Sequence, residues 1–316
     1  MKVRVKTFYF VFTTLFVAFP VIGSPIVNVS VEPLALLVRE LCSDQCEVNS
    51  LVPRGASEHS WQPGPKDVIR AKAAVASISV GLGFDEHWFK RMAVVPGSVL
   101  KLGEKLSPMT WWSDDMSGDH EEKSSTSKNS HHDHGAKHSS HDLDDHDHRS
   151  MSDDPHVWTD AGRMSQAIGL IAAHLSNLIP GSNVALSKRA KEISDRLTKL
   201  QLDADNRRKN WRTRPVVMFH DTAGYFARRF NLPVLSISSG SSGHDHSART
   251  IANVARRFKG VNVAAVMVEK DDGAARSLAR ELKTKVKIVD FGAAQSYERW
   301  DDWYLQLVTS WEDVLK

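Results

Sequence analysis

Past residue 23 the chain switches repeatedly between two hydrophobic rhythms. PIVNVSV is loosely alternating and β-branched, which predicts a strand. PLALLVREL repeats its apolar residues at helical spacing with Pro33 in the first turn, which predicts a helix. VNSLV reads as a short strand, SLVPRGASEHSW as a loop punctuated by Pro, Gly and Ser, and KDVIRAKAAVASISVGLG as a helix running into a strand closed by glycines. AGRMSQAIGLIAAHLSNLIPG is a helix ended by Pro180-Gly181, and Leu186, Ala190, Ile193, Leu197 and Leu200 then mark one face of a longer one. With no Gly or Pro between Ser182 and Thr213, that helix is expected to run for about 28 residues, roughly 42 Å. The remainder alternates again: RPVVMFH, LPVLSIS, NVAAVMVE and KVKIVDF as strands, with DTAGYFARRF, SARTIANVARRFKG and DGAARSLARELK as helices between them.

Strands alternating with helices imply α/β architecture with mostly parallel sheets covered by helices. The expected layout is a segment 1–23, an N-terminal α/β lobe over 24–180, a linking helix over 181–211 and a C-terminal α/β lobe over 212–316. Sites in such sheets lie beyond the carboxyl ends of the strands. His220 ends one strand, Glu269 another, and Asp290 nearly ends the last.

Two stretches break the rhythm. The first 23 residues begin MKVRVK, continue through TFYFVFTTLFVAFPVIG without a charge, and reach small residues at Gly23-Ser24. This is the pattern of a cleaved secretory signal, and its apolar run is short for a membrane span of ~20 residues. A soluble protein in an oxidising compartment is expected. From about Ser113 to Asp153 there are almost no apolar residues, so the stretch cannot bury enough surface to fold alone. It holds eight of the 15 histidines, His120, His131, His132, His134, His138, His141, His146 and His148, interspersed with Asp133, Asp142, Asp144, Asp145 and Asp147. Two readings compete for it: a solvated linker, or a disordered collector whose imidazoles and carboxylates offer many weak, interchangeable metal sites. His244 and His246 in SSGHDHS are a smaller version of the same alternative.

Charge narrows the partners. The net +3 is 41 basic minus 38 acidic residues, and three of the basic ones, Lys2, Arg4 and Lys6, belong to the expected signal. The working protein is then near neutral, which gives no case for nucleic-acid binding. The only cysteines, Cys42 and Cys46, lie four apart; in an exported chain a small disulfide is expected ahead of free thiols or a metal clip.

Outside the His-rich stretch, His59 in ASEHSW, His156 in DPHVW and His220 in VMFHD occupy loops or a strand end. A neutral imidazole is the commonest zinc ligand, and zinc takes four N, O or S donors in a tetrahedron. Singly, each histidine is more often a surface or hydrogen-bonded residue, and spacing alone does not bring them together.

LVPRGASEHSWQPGPKDV resembles the first ligand loop of the metal-binding substrate-binding proteins of ABC importers, the cluster A-I or cluster 9 family. DPHVWTD resembles the family's second ligand segment, FHDTAGYFARRFNL its third, and VDFGA the C-terminal segment that carries an Asp. The resemblance implies two α/β lobes joined by one long helix, with metal in the cleft held by His59, His156 and His220. Asp290 is the implied fourth donor, and Glu58 is the alternative. Glu269 is read as structural. His220 stands where the manganese branch has Glu, and three imidazoles suit zinc, so the chain resembles the zinc branch, the ZnuA-like proteins.

The function this implies is capture of Zn2+ and delivery to an ABC importer permease by a monomer, without bond chemistry. No P-loop is present, so the chain is not the transporter's ATPase. A periplasmic zinc buffer or adhesin would use the same residues, as would a manganese-binding member of the family. A zinc hydrolase is the rival class, weakened by the absence of H-E-x-x-H.

Overall fold

A computed structural model describes residues 23–110, 153–238, 248–271 and 273–316. Residues 1–22 of the expected signal segment, the eight histidines between 120 and 148, and His244 and His246 lie outside the described residues.

The first half is built on strands β1 (Ile26–Val29), β2 (Glu47–Ser50), β3 (Ala76–Ser79) and β4 (Val99–Lys101), with helices α1 (Glu32–Cys42), α2 (Pro65–Ala73) and α3 (Glu86–Arg91) between them. All pairings are parallel and the order is β2-β1-β3-β4. Helices α4 (Ala161–Leu178) and α5 (Asn183–Arg208) follow as a hairpin whose turn holds Pro180 and Gly181. The second half repeats the plan. β5 (Val216–His220), α6 (Gly224–Arg229), β6 (Val234–Ser238), α7 (Ala248–Arg257), β7 (Ala265–Val268), α8 (Gly273–Glu281) and β8 (Lys285–Ile288) form a second parallel sheet, ordered β6-β5-β7-β8. α9 (Trp300–Leu315) ends the chain.

Two mostly parallel sheets flanked by helices, with a long helix joining two lobes, is the architecture the family resemblance implied, and the parallel pairing is what the alternation of strands and helices implied. The complete burial of β3, of β7 and of all but the last residue of β5 is what a strand covered on both faces shows, with Ser77 and Ser79 the buried polar residues of β3. In both sheets the order reverses beside the strand that comes first in the chain, between β1 and β3 and between β5 and β7. Those two crevices open at the carboxyl ends of the strands, where ligands collect in such folds.

The linking helix α5 has 26 residues, about 39 Å. It buries Leu186, Ala190, Ile193, Leu197, Gln201 and Ala204 along one face. Its Arg196 donates to both oxygens of Glu40 on α1 at 2.7 and 2.6 Å and to Asp301 on α9 at 2.6 Å, so one guanidinium ties three helices. The aromatic face of α9, with Trp300, Trp303, Tyr304 and Trp311 all essentially buried, packs on α1 and α5. Neither α3 nor α9 is among the elements predicted above. For α9 the signal was present, since residues 300, 303, 304, 307, 308, 311, 314 and 315 recur at helical spacing and are buried.

Cys42 and Cys46 are bonded to each other, closing the turn between α1 and β2. Both are buried, and Arg189 of α5 donates to the Cys42 carbonyl at 3.1 Å. Among the described residues no helix is long and apolar enough to cross a membrane.

Candidate metal centre

Three histidines from distant parts of the chain meet in the cleft. His59 sits in the loop between β2 and α2, His156 opens a single 3-10 turn (Val157–Thr159) ahead of α4, and His220 is the last residue of β5. His59 Nε2 lies 3.3 Å from His156 Nε2 and 2.6 Å from His220 Nε2. Their ligand atoms all fall within 4.8 Å of one another. Tetrahedral zinc, with bonds of about 2.0–2.1 Å, keeps its nitrogens about 3.4 Å apart. The His59–His156 separation already has that value, and His220 would need to withdraw by less than about 1 Å.

Two of the rings are packed or bonded by neighbours outside the trio. His156 is wholly buried, and its Nδ1 meets Asp154 Oδ1 at 2.8 Å, while the same oxygen accepts the His156 backbone N–H at 2.9 Å. A carboxylate on Nδ1 fixes the tautomer and leaves Nε2 as the donor toward a metal. Burial opposes the charged imidazolium, but the Asp154 hydrogen bond and the charges of Asp154, Glu58 and Asp221 outweigh it and raise the His156 pKa above the ordinary histidine value. The ring of Phe84 meets His59 edge-on at 5.5 Å, and Trp158 meets His156 at 5.1 Å.

The expected fourth donors occupy different places. Asp290 lies outside the three-histidine group and turns back on its own loop. Its Oδ1 accepts Ala294 N–H at 2.7 Å, and its Oδ2 accepts Gln295 N–H at 2.9 Å and the Tyr297 hydroxyl at 3.0 Å. Glu58 is buried and its Oε1 stands 3.9 Å from His59 Nε2. With Glu269, both line a cavity of about 240 Å³ beside the histidines, which also takes in Arg54, Trp158 and Lys270. Glu269, read above as structural, follows β7 directly and faces this cavity. Its carboxyl is open at the cleft yet crowded by protein; that crowding, with the charges of Glu58 and Asp290, pushes its pKa up to about 8.

The two halves of the molecule touch around the site. Trp158 Nε1 donates to the Phe291 carbonyl at 3.2 Å, Lys270 Nζ to the Gly55 carbonyl at 3.3 Å, and Arg54 to Ser296 Oγ at 3.3 Å. Arg54 also pairs with buried Glu32 at 2.7 Å, so the loop carrying His59 is gripped from both sides. The role of Asp154 is not among the sequence expectations, although a carboxylate two residues before a candidate ligand histidine, as in DPHVW, is a signal for it.

The chain matches the family described as Zinc-uptake complex component A periplasmic, ZnuA, over residues 27–316. It is 26% identical over 217 residues to the high-affinity zinc uptake system protein ZnuA of Yersinia pestis, covering 68% of this chain and 65% of that one. In fold it is similar to a crystal structure of ZnuA, with a TM-score of 0.71 at 19% identity over 92% of this chain and 98% of that one. It is equally similar in fold to the SBP FpvC from Pseudomonas aeruginosa in complex with Mn2+, with a TM-score of 0.72 at 17% identity over 93% and 98% of the two chains.

Proposed function

The chain belongs to the ZnuA family of periplasmic zinc-uptake components, and from that premise we propose that it captures Zn2+ outside the cytoplasmic membrane and hands it to an ABC importer permease. The observation that carries this reading is the meeting of His59, His156 and His220 through their Nε2 atoms. Three neutral imidazoles are a nitrogen-rich set that suits zinc, whereas manganese prefers more oxygen donors. A carboxylate oxygen or a water completes the tetrahedron, and buried Glu58, beside His59, is the nearer of the two expected carboxylates to a ring nitrogen in this arrangement. Members of the family are substrate-binding proteins, so the protein binds and releases its cargo and is not an enzyme. Secretion as a signal-bearing precursor, action as a monomer and a division into lobes at 24–180 and 212–316 belong to the same proposal.

The reading is tested by titrating the purified mature protein with zinc against a competing chelator, in wild type and in His59→Ala, His156→Ala and His220→Ala. One tight site per chain, weakened in every variant, is the expected result. If all three variants keep wild-type affinity, the constellation is not the zinc site.

A further inference from the structure

We propose that Tyr225 is a positioning residue for the metal site, acting through Asp154 on His156. Tyr225 belongs to α6, five residues after His220, and is 1% exposed. Its hydroxyl donates to the Asp154 carbonyl at 2.9 Å and accepts the Met109 N–H at 3.1 Å. Met109 and Asp154 flank residues 111–152, and the two flanks are themselves joined. Asp154 N–H donates to the Met109 carbonyl at 2.7 Å, and Thr110 and Asp153 form an antiparallel bridge. One phenol therefore grips both sides of the neck of the His-rich stretch and holds the backbone of the residue whose carboxylate orients His156.

The surroundings keep the phenol in place. Arg163 lies over the Tyr225 ring at 4.6 Å and donates to the Leu106 and Ser107 carbonyls, while Arg228 of α6 donates to the Thr110 carbonyl at 2.8 Å. Burial pushes the Tyr225 pKa up to about 12, so the hydroxyl stays a donor at any physiological pH. On the other side, Gly224 gives Asp154 room: a Cβ there would collide with Asp154 Oδ2. α6 thus receives the Asp154 carboxylate against a residue without a side chain and fixes its carbonyl with the next. Because α6 follows β5 after three residues, His220 and His156 share one rigid reference.

This role rests on the zinc reading above, and the experiment separates the two. Zinc affinity is measured by chelator competition in wild type, Tyr225→Phe, Asp154→Ala and the double variant. Phe keeps the ring and its Arg163 contact while removing the hydroxyl. Outer partners of a ligating histidine typically contribute 10–100-fold in affinity, so Tyr225→Phe is expected to weaken the tight site about tenfold. In the Asp154→Ala background the same change should have an effect of roughly twofold or less, because its route to His156 is gone. A general loosening of the fold would instead cost the same in both backgrounds. Gly224→Ala, which crowds Asp154 from the other side, is carried through the same cycle and decides the matter if Tyr225→Phe does not fold. Unchanged affinity, or equal losses with and without Asp154, would overturn the positioning role alone. A wild-type protein lacking a tight zinc site would overturn the proposed function and this role with it.

Discussion

Asp85 offers a test of how the cleft wall is held. It is wholly buried at the carboxyl ends of β1 and β3, where its carboxylate accepts Ser79 Oγ at 2.6 Å, Val80 N–H at 2.7 Å, Gly81 N–H at 2.9 Å and the Ser30 hydroxyl. It therefore anchors the Gly81–Phe84 turn that presses Phe84 on His59. Burial pushes the Asp85 pKa up to about 6, and the four donors only partly offset it. For an acid whose folded pKa lies above its unfolded value of ~3.9, the folded state takes up the extra proton. Wild-type stability therefore gains as pH falls from about 7 through 6 toward 4, and this gain is absent above the folded pKa. Between pH ~7.5 and ~4.5 the gain is about 2 kcal/mol. Asp85→Asn has no such proton to gain, and its NH2 group faces donors it cannot accept, at about 1–3 kcal/mol for each one orphaned. The expected result, from denaturant unfolding of chelator-treated protein at both pH values, is a stability gap in favour of wild type that widens by about 2 kcal/mol at the lower pH. Other titrating groups are common to both proteins and cancel in the difference. A gap that does not change with pH would refute the reasoning.

Two further outcomes concern the cargo. Deleting residues 119–149 should leave the fold and the tight site intact while lowering the number of weakly bound zinc ions; an unchanged total stoichiometry in equilibrium dialysis would sink the collector role, and loss of the tight site would make loop histidines primary ligands. Wild-type protein should prefer zinc strongly over manganese in direct competition, with copper the harder rival, and His220→Glu should move the balance toward oxygen-preferring metals. Near-equal zinc and manganese affinities for wild type would place the chain with the manganese binders.

How much of this was legible in the chain depends on the range over which each feature is decided. Strand and helix rhythms are local, so the α/β plan, the parallel pairing and the existence of one long helix follow from spacing, as does the placement of His220 and Glu269 at strand ends, whereas the joining of two lobes by that helix came from the resemblance. The His-rich stretch is likewise a matter of composition. The helix α9 is equally local, its aromatic face spelled out at helical intervals. The meeting of His59 with residues 97 and 161 positions away is different in kind. Nothing in local periodicity encodes it; the resemblance supplied it, and the packing of two sheets against one long helix produces it. The second layer was the least legible. That Asp154 turns to His156, that Asp290 spends its oxygens on its own loop, and that Tyr225 reaches across to the neck of the insertion are outcomes of which donors and acceptors are left to be satisfied once the lobes have packed. A sequence names the groups that need partners, but only the folded arrangement brings particular donors within about 3 Å of particular acceptors.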